Sequence, residues 1–398
     1  MSIKKIFQVC VITGSRAEYG LLKLLLFRLR DNSDVDLKLV VTGTHLSKDF
    51  GNTQKEIQDD GFKSYIKIPI IIDNDSKEGM ALSVGNAITE FAKLFTYYKP
   101  DIIIVLGDRF EIFAASIAAH LISIPVAHIS GGDITEGAVD DAIRHCLTKL
   151  SYLHFTGCEE SAKRVIQMGE EPNRVFNVGE LGVENCIKMK LMSKMQLEND
   201  LNFNGINENY AVVTFHPVTM ENNTVVEQIY ELIKAMDAFK NISYIITMAN
   251  ADAGGRRINN IWIEEGRKRK KWLVVPSLGV LRYLSAIKYA RLVIGNSSSG
   301  IIEAPSMGTP TINIGDRQKG RMMANSVICC RPIKEEIINA INYVLTDEFQ
   351  KNMSEIKSPF GDGNTSEQIV REIIKYLNNK GQTIEKKFYN IEFLLGDT

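Results

Sequence analysis

The stretch Arg291-Leu-Val-Ile-Gly-Asn-Ser-Ser-Ser-Gly-Ile-Ile-Glu-Ala-Pro305 holds the most specific chemical pattern of the chain. An apolar run, Leu292 to Ile294, reads as a buried parallel strand that breaks at Gly295 and Asn296 into three serines. A helical segment follows, with Glu303 near its start. Such a corner offers backbone N–H groups, hydroxyls and a helix N-terminus to an anion. It suits a diphosphate, and Glu303 is placed to accept hydrogen bonds from ribose hydroxyls. The chain contains neither a Walker lysine nor a G-x-G-x-x-G fingerprint.

Further polar clusters fall where apolar runs end. In Thr13-Gly-Ser-Arg-Ala-Glu-Tyr-Gly20, Arg16 either clamps a phosphate or pairs with Glu18 or another carboxylate. In Leu106-Gly-Asp-Arg-Phe-Glu111, Asp108 is either an acid/base group or a helix cap. Arg109 is a partner for phosphate or carboxylate, and Glu111 fits a first-turn residue that complements the helix dipole. The densest cluster is His128-Ile-Ser-Gly-Gly-Asp-Ile-Thr-Glu-Gly137 followed by Asp140-Asp-Ala-Ile-Arg-His145. There Asp140 and Arg144, and likewise Asp141 and His145, share helical faces at i,i+4. Carboxylates gathered near a histidine are what proton transfer at carbon requires. Capping and one surface pair explain part of this group, but not His128, Asp133, Glu136 and Asp140 together. Later in the chain, Thr214-Phe-His-Pro-Val-Thr219 offers His216 as a phosphate contact or proton donor. Asn250-Ala-Asp-Ala-Gly254 and Gly315-Asp-Arg-Gln-Lys-Gly-Arg321 complete the set, with Arg317 a candidate for neutralising a diphosphate.

These residues need a scaffold of strand ends, and the hydropathy pattern supplies one. Short apolar runs alternate with helix-length segments, as in a parallel sheet covered on both faces. Strands are expected at Val9–Thr13, Leu37–Thr42, Ile102–Leu106, Pro125–Ile129, Leu153–Thr156 and Val175–Val178, with helices such as Tyr19–Leu29, Met80–Tyr98 and Arg109–Leu121 between them. A second series comprises Ala211–Phe215, Tyr244–Met248, Leu273–Val275, Leu292–Ile294 and Thr311–Ile314. The fold class is therefore α/β, with two doubly wound Rossmann-like domains and ligands at the carboxyl ends of their strands. The expected bounds are 1–186 for the first domain, 187–209 for a polar linker and 210–365 for the second domain. A final helix and tail, 366–398, packs on either of them.

Bulk numbers narrow the class. At 398 residues two domains are the default, and 44% apolar with 24% charged residues is ordinary for a globular chain. A formal net charge of -1 argues against nucleic acid or another general polyanion as partner. The basic run Arg267 to Lys271 reads as a solvated helix end. No signal peptide and no apolar stretch long enough for a bilayer are read, so the expected setting is cytoplasmic, without a membrane partner. Six histidines and six cysteines lack metal-ligand spacing, and no metal is expected.

Taken together, the motifs from Gly14 to Arg321 resemble the UDP-N-acetylglucosamine 2-epimerase family, specifically its hydrolysing branch. The resemblance spans nearly the whole chain and rests on Gly107-Asp-Arg-Phe-Glu111, Asp140-Asp-Ala-Ile-Arg-His145, Phe215-His-Pro217, Gly295-Asn-Ser-Ser-Ser-Gly300 and Glu303-Ala-Pro305 in order. It implies the GT-B fold, with the active site in the interdomain cleft. It also implies elimination of UDP to a glycal-type intermediate, then hydration to the free 2-epimer, N-acetylmannosamine, for sialic-acid-type sugars. By the resemblance Arg16, Arg109, Arg144, His216, Asn250, Ser297, Ser298, Glu303 and Arg317 hold UDP and sugar, while Asp108 and Asp140 carry protons and His216 assists departure. No cofactor is implied, and a homodimer or homotetramer is. One departure stands out. Where some members have a glutamate two residues after the loop histidine, this chain has Ser130. Asp133 or Glu136 is then the candidate replacement, or the loop accepts a UDP-2,4-diacetamido-2,4,6-trideoxy hexose. The rival readings are a non-hydrolysing 2-epimerase, a glycosyltransferase and a non-catalytic nucleotide-sugar binder.

Overall fold

The computed structural model describes residues 5–46, 54–70, 77–135, 139–217, 224–249, 255–353, 356–379 and 384–392. They divide into two compact units: residues 1–133, 140–181 and 364–398 make the first, and residues 134–139 and 182–363 the second.

The first unit is built on seven parallel strands: β1 (Phe7–Thr13), β2 (Val35–Thr42), β3 (Ile66–Ile68), β4 (Ile102–Leu106), β5 (Val126–Ile129), β6 (Leu153–Thr156) and β7 (Val175–Asn177). Their order is β3-β2-β1-β4-β5-β6-β7. Between them run α1 (Arg16–Arg30), α2 (Gln54–Asp59), α3 (Lys77–Tyr98), α4 (Phe110–Leu121), α5 (Val139–Leu150) and α6 (Glu159–Gln167); α7 (Leu181–Lys188), after β7, opens the second unit. The near-continuous apolar strands are explained by burial on both faces. Val9, Val11, Ile102 and Ile104 pack with the α1 leucines, whereas Cys10, Ile12, Ile103 and Val105 pack with Phe91, Phe95 and Ile112 of α3 and α4.

The second unit repeats the plan with α8 (Lys194–Leu201), β8 (Tyr210–Thr214), α9 (Val225–Met236), β9 (Ser243–Thr247), α10 (Gly255–Arg267), β10 (Trp272–Val275), α11 (Gly279–Tyr289), β11 (Leu292–Gly295), α12 (Ser298–Ser306), β12 (Thr311–Ile314), β13 (Val327–Cys330), α13 (Lys334–Val344) and α14 (Asp347–Asn352). Its parallel sheet runs β10-β9-β8-β11-β12-β13. In each sheet the order reverses beside the first strand, between β1 and β4 and between β8 and β11. Loops diverge at such a point and leave room for a ligand.

Some boundaries differ from expectation. The 187–209 stretch is not a bare linker. It carries α8, opened by a capping box between Ser193 and Gln196, and buries Leu197, Phe203 and Ile206 in the core of the second unit. A few apolar anchors in a polar, asparagine-rich segment suffice for docking and barely change its average hydropathy. The last helix, α15 (Thr365–Asn378), belongs to the first unit: Ile369, Ile373 and Leu377 pack in the core beside α1, and the Thr365 hydroxyl donates to the Val178 carbonyl at 3.0 Å. Arg269 of the basic run is committed to Asp237 and Glu265. Among the described residues no helix is long and apolar enough to cross a membrane.

Candidate active site

At the carboxyl edge of the first sheet, Gly107 donates its N–H to Ile129 at 3.0 Å, which sets the β4 and β5 loops side by side. His128 ties them again, with Nε2 2.7 Å from the Gly107 carbonyl. Only an N–H can bond a carbonyl there, so that nitrogen carries the proton. Burial pushes the His128 pKa down to about 4, leaving a neutral ring at pH 7. Arg144 lies buried beside them. Its guanidinium is ion-paired with Asp108, reaches Asp141 at 3.5 Å and donates to the Asp133 carbonyl at 3.0 Å. A buried cation is tolerable only when so surrounded, and Arg144 thereby fixes Asp108 at the strand end. The Asp133 carboxylate accepts from the Ser161 hydroxyl at 2.6 Å. Asp140 is exposed in the first turn of α5, and His145 stands 3.5 Å from Asp141. Glu136 lies outside the described residues. Arg144, expected to share a helical face with Asp140, thus pairs with Asp108 and Asp141 and bonds the Asp133 carbonyl, bringing the two motifs together.

Arg16 and Arg109 are occupied by carboxylates in the first unit. Arg16 pairs with Glu56 at 3.2 Å, and Arg109 with Glu111 at 3.1 Å. Glu111 is fully buried, and so is more than a dipole residue at a helix start. Glu18, expected as an alternative partner of Arg16, instead accepts the Gly14 and Ser15 N–H groups at 2.6 and 3.1 Å. Burial, reinforced by Glu111, pushes its carboxyl up to about 8.

At the edge of the second sheet, Gly295 has φ +135, and a β-carbon there would overlap the Thr214 carbonyl. Only glycine fits the turn that leads into the serines. Asn296 then clamps the β8 loop. Its side-chain oxygen accepts the His216 N–H at 2.7 Å, and its amide donates to the His216 carbonyl at 2.9 Å. The Asn296 carbonyl accepts from Arg317 at 3.1 Å and Gln318 at 2.9 Å, which brings in the β12 loop. Burial and the neighbouring Arg317 push His216 down to about 3, so its ring is neutral. Ser297 caps α12 by accepting the Ser299 N–H, and Ser298 begins the helix. Glu303, one and a half turns further on, is buried, with no protein hydrogen bond to Oε2; burial pushes its carboxyl up to about 7. Such an oxygen is costly until a ligand hydroxyl reaches it. Asn250 lies outside the described residues.

Three contributors were not anticipated: Asn296 as the loop clamp, Tyr283, whose hydroxyl meets that of Ser299, and Glu180, which accepts from the Ser130 hydroxyl at 2.7 Å. Glu180 had a usable signal, a carboxylate three residues past the end of β7. Tyr283 had none, being one aromatic on an amphipathic helix.

The family model described as UDP-N-acetylglucosamine 2-epimerase matches residues 28–374. An Escherichia coli protein named Polysialic acid biosynthesis protein P7 is 40% identical, covering 96% of this chain and 97% of its own. The Campylobacter jejuni GDP/UDP-N,N'-diacetylbacillosamine 2-epimerase (hydrolyzing) is 38% identical, over 93% and 96%. In fold, the chain is similar to the crystal structure of UDP-GlcNAc 2-epimerase from Neisseria meningitidis bound to UDP-GlcNAc, with a TM-score of 0.80 at 20% identity over 92% of this chain and all of that one. With a model matched over most of its length and near-full-length relatives above 30% identity, the chain belongs to the UDP-N-acetylglucosamine 2-epimerase family.

Proposed function

We propose that this protein is a hydrolysing 2-epimerase that converts UDP-N-acetylglucosamine and water to N-acetylmannosamine and UDP. The observation that carries the reading is Asp108, fixed by the buried Arg144 at the carboxyl edge of the first sheet. A pure nucleotide-sugar binder or a glycosyltransferase has no use for a carboxylate held that way. UDP is assigned to the second unit: the ribose to Glu303, and the diphosphate to Ser297, Ser298, the N-terminus of α12 and Arg317. His216, neutral in the unliganded chain, donates an N–H hydrogen bond to the departing phosphate oxygen. In the elimination a carboxylate takes the C2 proton. The C2–H electron pair forms the C1–C2 double bond, and the C1–O pair leaves on UDP. In the hydration C1 takes the hydroxyl of water and C2 takes a proton on its other face. Asp108 and Asp140 are the assigned proton carriers, and Arg144 holds the first of them in place.

A second reading is the same reaction on UDP-N,N'-diacetylbacillosamine. It is favoured by two relatives at 38% and 32% identity whose names give that substrate. Proton NMR in D2O separates the possibilities. UDP together with free N-acetylmannosamine deuterated at C2 is the expected outcome. A sugar nucleotide equilibrating with its epimer means a non-hydrolysing enzyme. Activity on the diacetamido sugar nucleotide alone transfers the assignment to that substrate, and no C2 exchange with either rules out proton chemistry.

A further inference from the structure

Inversion at C2 needs a proton carrier on each face of the sugar, and the first sheet presents a carboxylate that the motifs did not assign. We propose that Glu180, rather than the exposed Asp140, is the second carrier, serving the face of C2 that Asp108 does not. The proposal rests on the 2-epimerase reading above. Glu180 follows the end of β7 and is buried, at 6% exposure. In the strand order β5-β6-β7 it starts two strands away from Ser130, yet its Oε2 accepts the Ser130 hydroxyl at 2.7 Å.

The side chain spans that distance by crossing Gly157, just beyond β6. A β-carbon at Gly157 would overlap the Glu180 carboxylate, so the sequence leaves a gap where the carboxylate passes. Ser130 is equally specialised. It is a non-glycine residue at φ +60, in the left-handed region, and its N–H is pinned to the Phe155 carbonyl at 2.8 Å. Backbone strain of this kind persists where the surrounding structure enforces it, commonly at sites of chemistry. Three adjacent strand ends thus supply a hydroxyl, a gap and a carboxylate on the edge where an open α/β sheet holds its ligand.

The same geometry distinguishes Glu180 from Asp133, one of the two residues expected to replace a carboxylate at position 130. Asp133 bonds the Ser161 hydroxyl of α6, whereas Glu180 lies against position 130 itself. Asp108 follows β4 and the Glu180 carboxylate crosses the end of β6. Its Oε2 reaches Ser130, just past β5, the neighbour of β4, so both carboxylates stand on the same edge of the sheet. The proton balance closes without another reactant. One carboxylate takes the C2 proton and loses it to water; the other delivers a proton to C2 on the opposite face and is refilled from water.

The test compares full-length variants for UDP release and C2 deuterium exchange. Glu180→Gln is expected to lower both by roughly 100-fold or more, with UDP affinity and thermal unfolding unchanged. Glu180→Ala combined with Ser130→Glu, which returns a carboxylate to the same spot from the neighbouring strand, is expected to regain at least ~10-fold over Glu180→Ala alone. Ser130→Ala, which removes a hydrogen bond favouring the charged form, is expected to raise one limb of the pH–rate profile by about 0.5–1 pH unit. Glu180→Gln turning over at the wild-type rate overturns the proposal. If that variant does not fold, an unchanged pH profile in Ser130→Ala overturns it. A wild-type protein that neither releases UDP from nor exchanges the C2 proton of either sugar nucleotide sinks the 2-epimerase reading itself, whereas an active wild type with an unaffected Glu180→Gln sinks only the role of Glu180.

Discussion

Glu303 shows how a binding residue leaves a thermodynamic trace before its ligand arrives. Burial raises its carboxyl from 4.5 to about 7, so the folded unliganded chain binds this proton more tightly than the unfolded chain does. The associated stability is fully present below pH 4.5 and is lost as pH rises through 7, a change of up to ~3 kcal/mol. Glu303→Gln, which is never charged, should flatten that part of the melting-temperature profile and weaken UDP binding by roughly 10–100-fold, the worth of one charge-assisted hydrogen bond. A variant whose profile and UDP affinity match the wild type would place the ribose elsewhere. Asp108→Asn makes a different prediction. It should abolish C2 exchange while UDP affinity, read by calorimetry, stays within about two-fold. It should also cost roughly 1–3 kcal/mol in denaturant unfolding, because the buried Arg144 loses one counter-charge and keeps Asp141. Retained exchange in that variant would remove Asp108 from the chemistry.

Elements position these groups by leaving space as much as by filling it. Near the start of α7, Gly182 faces the Glu303 side chain, and a β-carbon there would lie 2.5 Å from Oε1. Gly182→Ala should therefore displace the carboxylate and lower UDP affinity by about 10-fold without altering any ligand contact directly; calorimetry showing wild-type affinity would contradict this. The strands that carry the site were readable because each is an apolar run buried on both faces. β3, only three residues with a central lysine, and β13, ending in one exposed and one half-buried cysteine, carry no comparable apolar run. The start of α1 was placed too late, at Tyr19, because the helix begins with a capping box, Ser15 to Glu18, ahead of its apolar stripe.

For the whole molecule, the chain path matters most at its end. α15 leaves the second unit and completes the core of the first, where Ile369 and Ile373 are fully buried. Ile373→Ala should cost about 2–4 kcal/mol and lower the unfolding transition of the first unit. That transition can be followed by amide hydrogen exchange in α1, which packs in the same core, while the fluorescence of Trp262 and its core neighbour Trp272 reports the second unit. A shift seen only in that fluorescence would contradict the assignment of α15.

The sequence alone determined the class of fold and most of the chemical inventory. Parallel strands buried on both faces have an unmistakable apolar rhythm, and glycine, serine and carboxylate residues placed just after them can only lie on one edge of a sheet. Tertiary structure decided the pairings. Whether Arg16 and Arg109 are met by a ligand or by Glu56 and Glu111, whether Arg144 reaches Asp108, and whether a carboxylate crosses Gly157 to Ser130 all depend on which strands lie side by side. Strand order is set by long-range packing between segments far apart in the chain, and local composition carries no record of it.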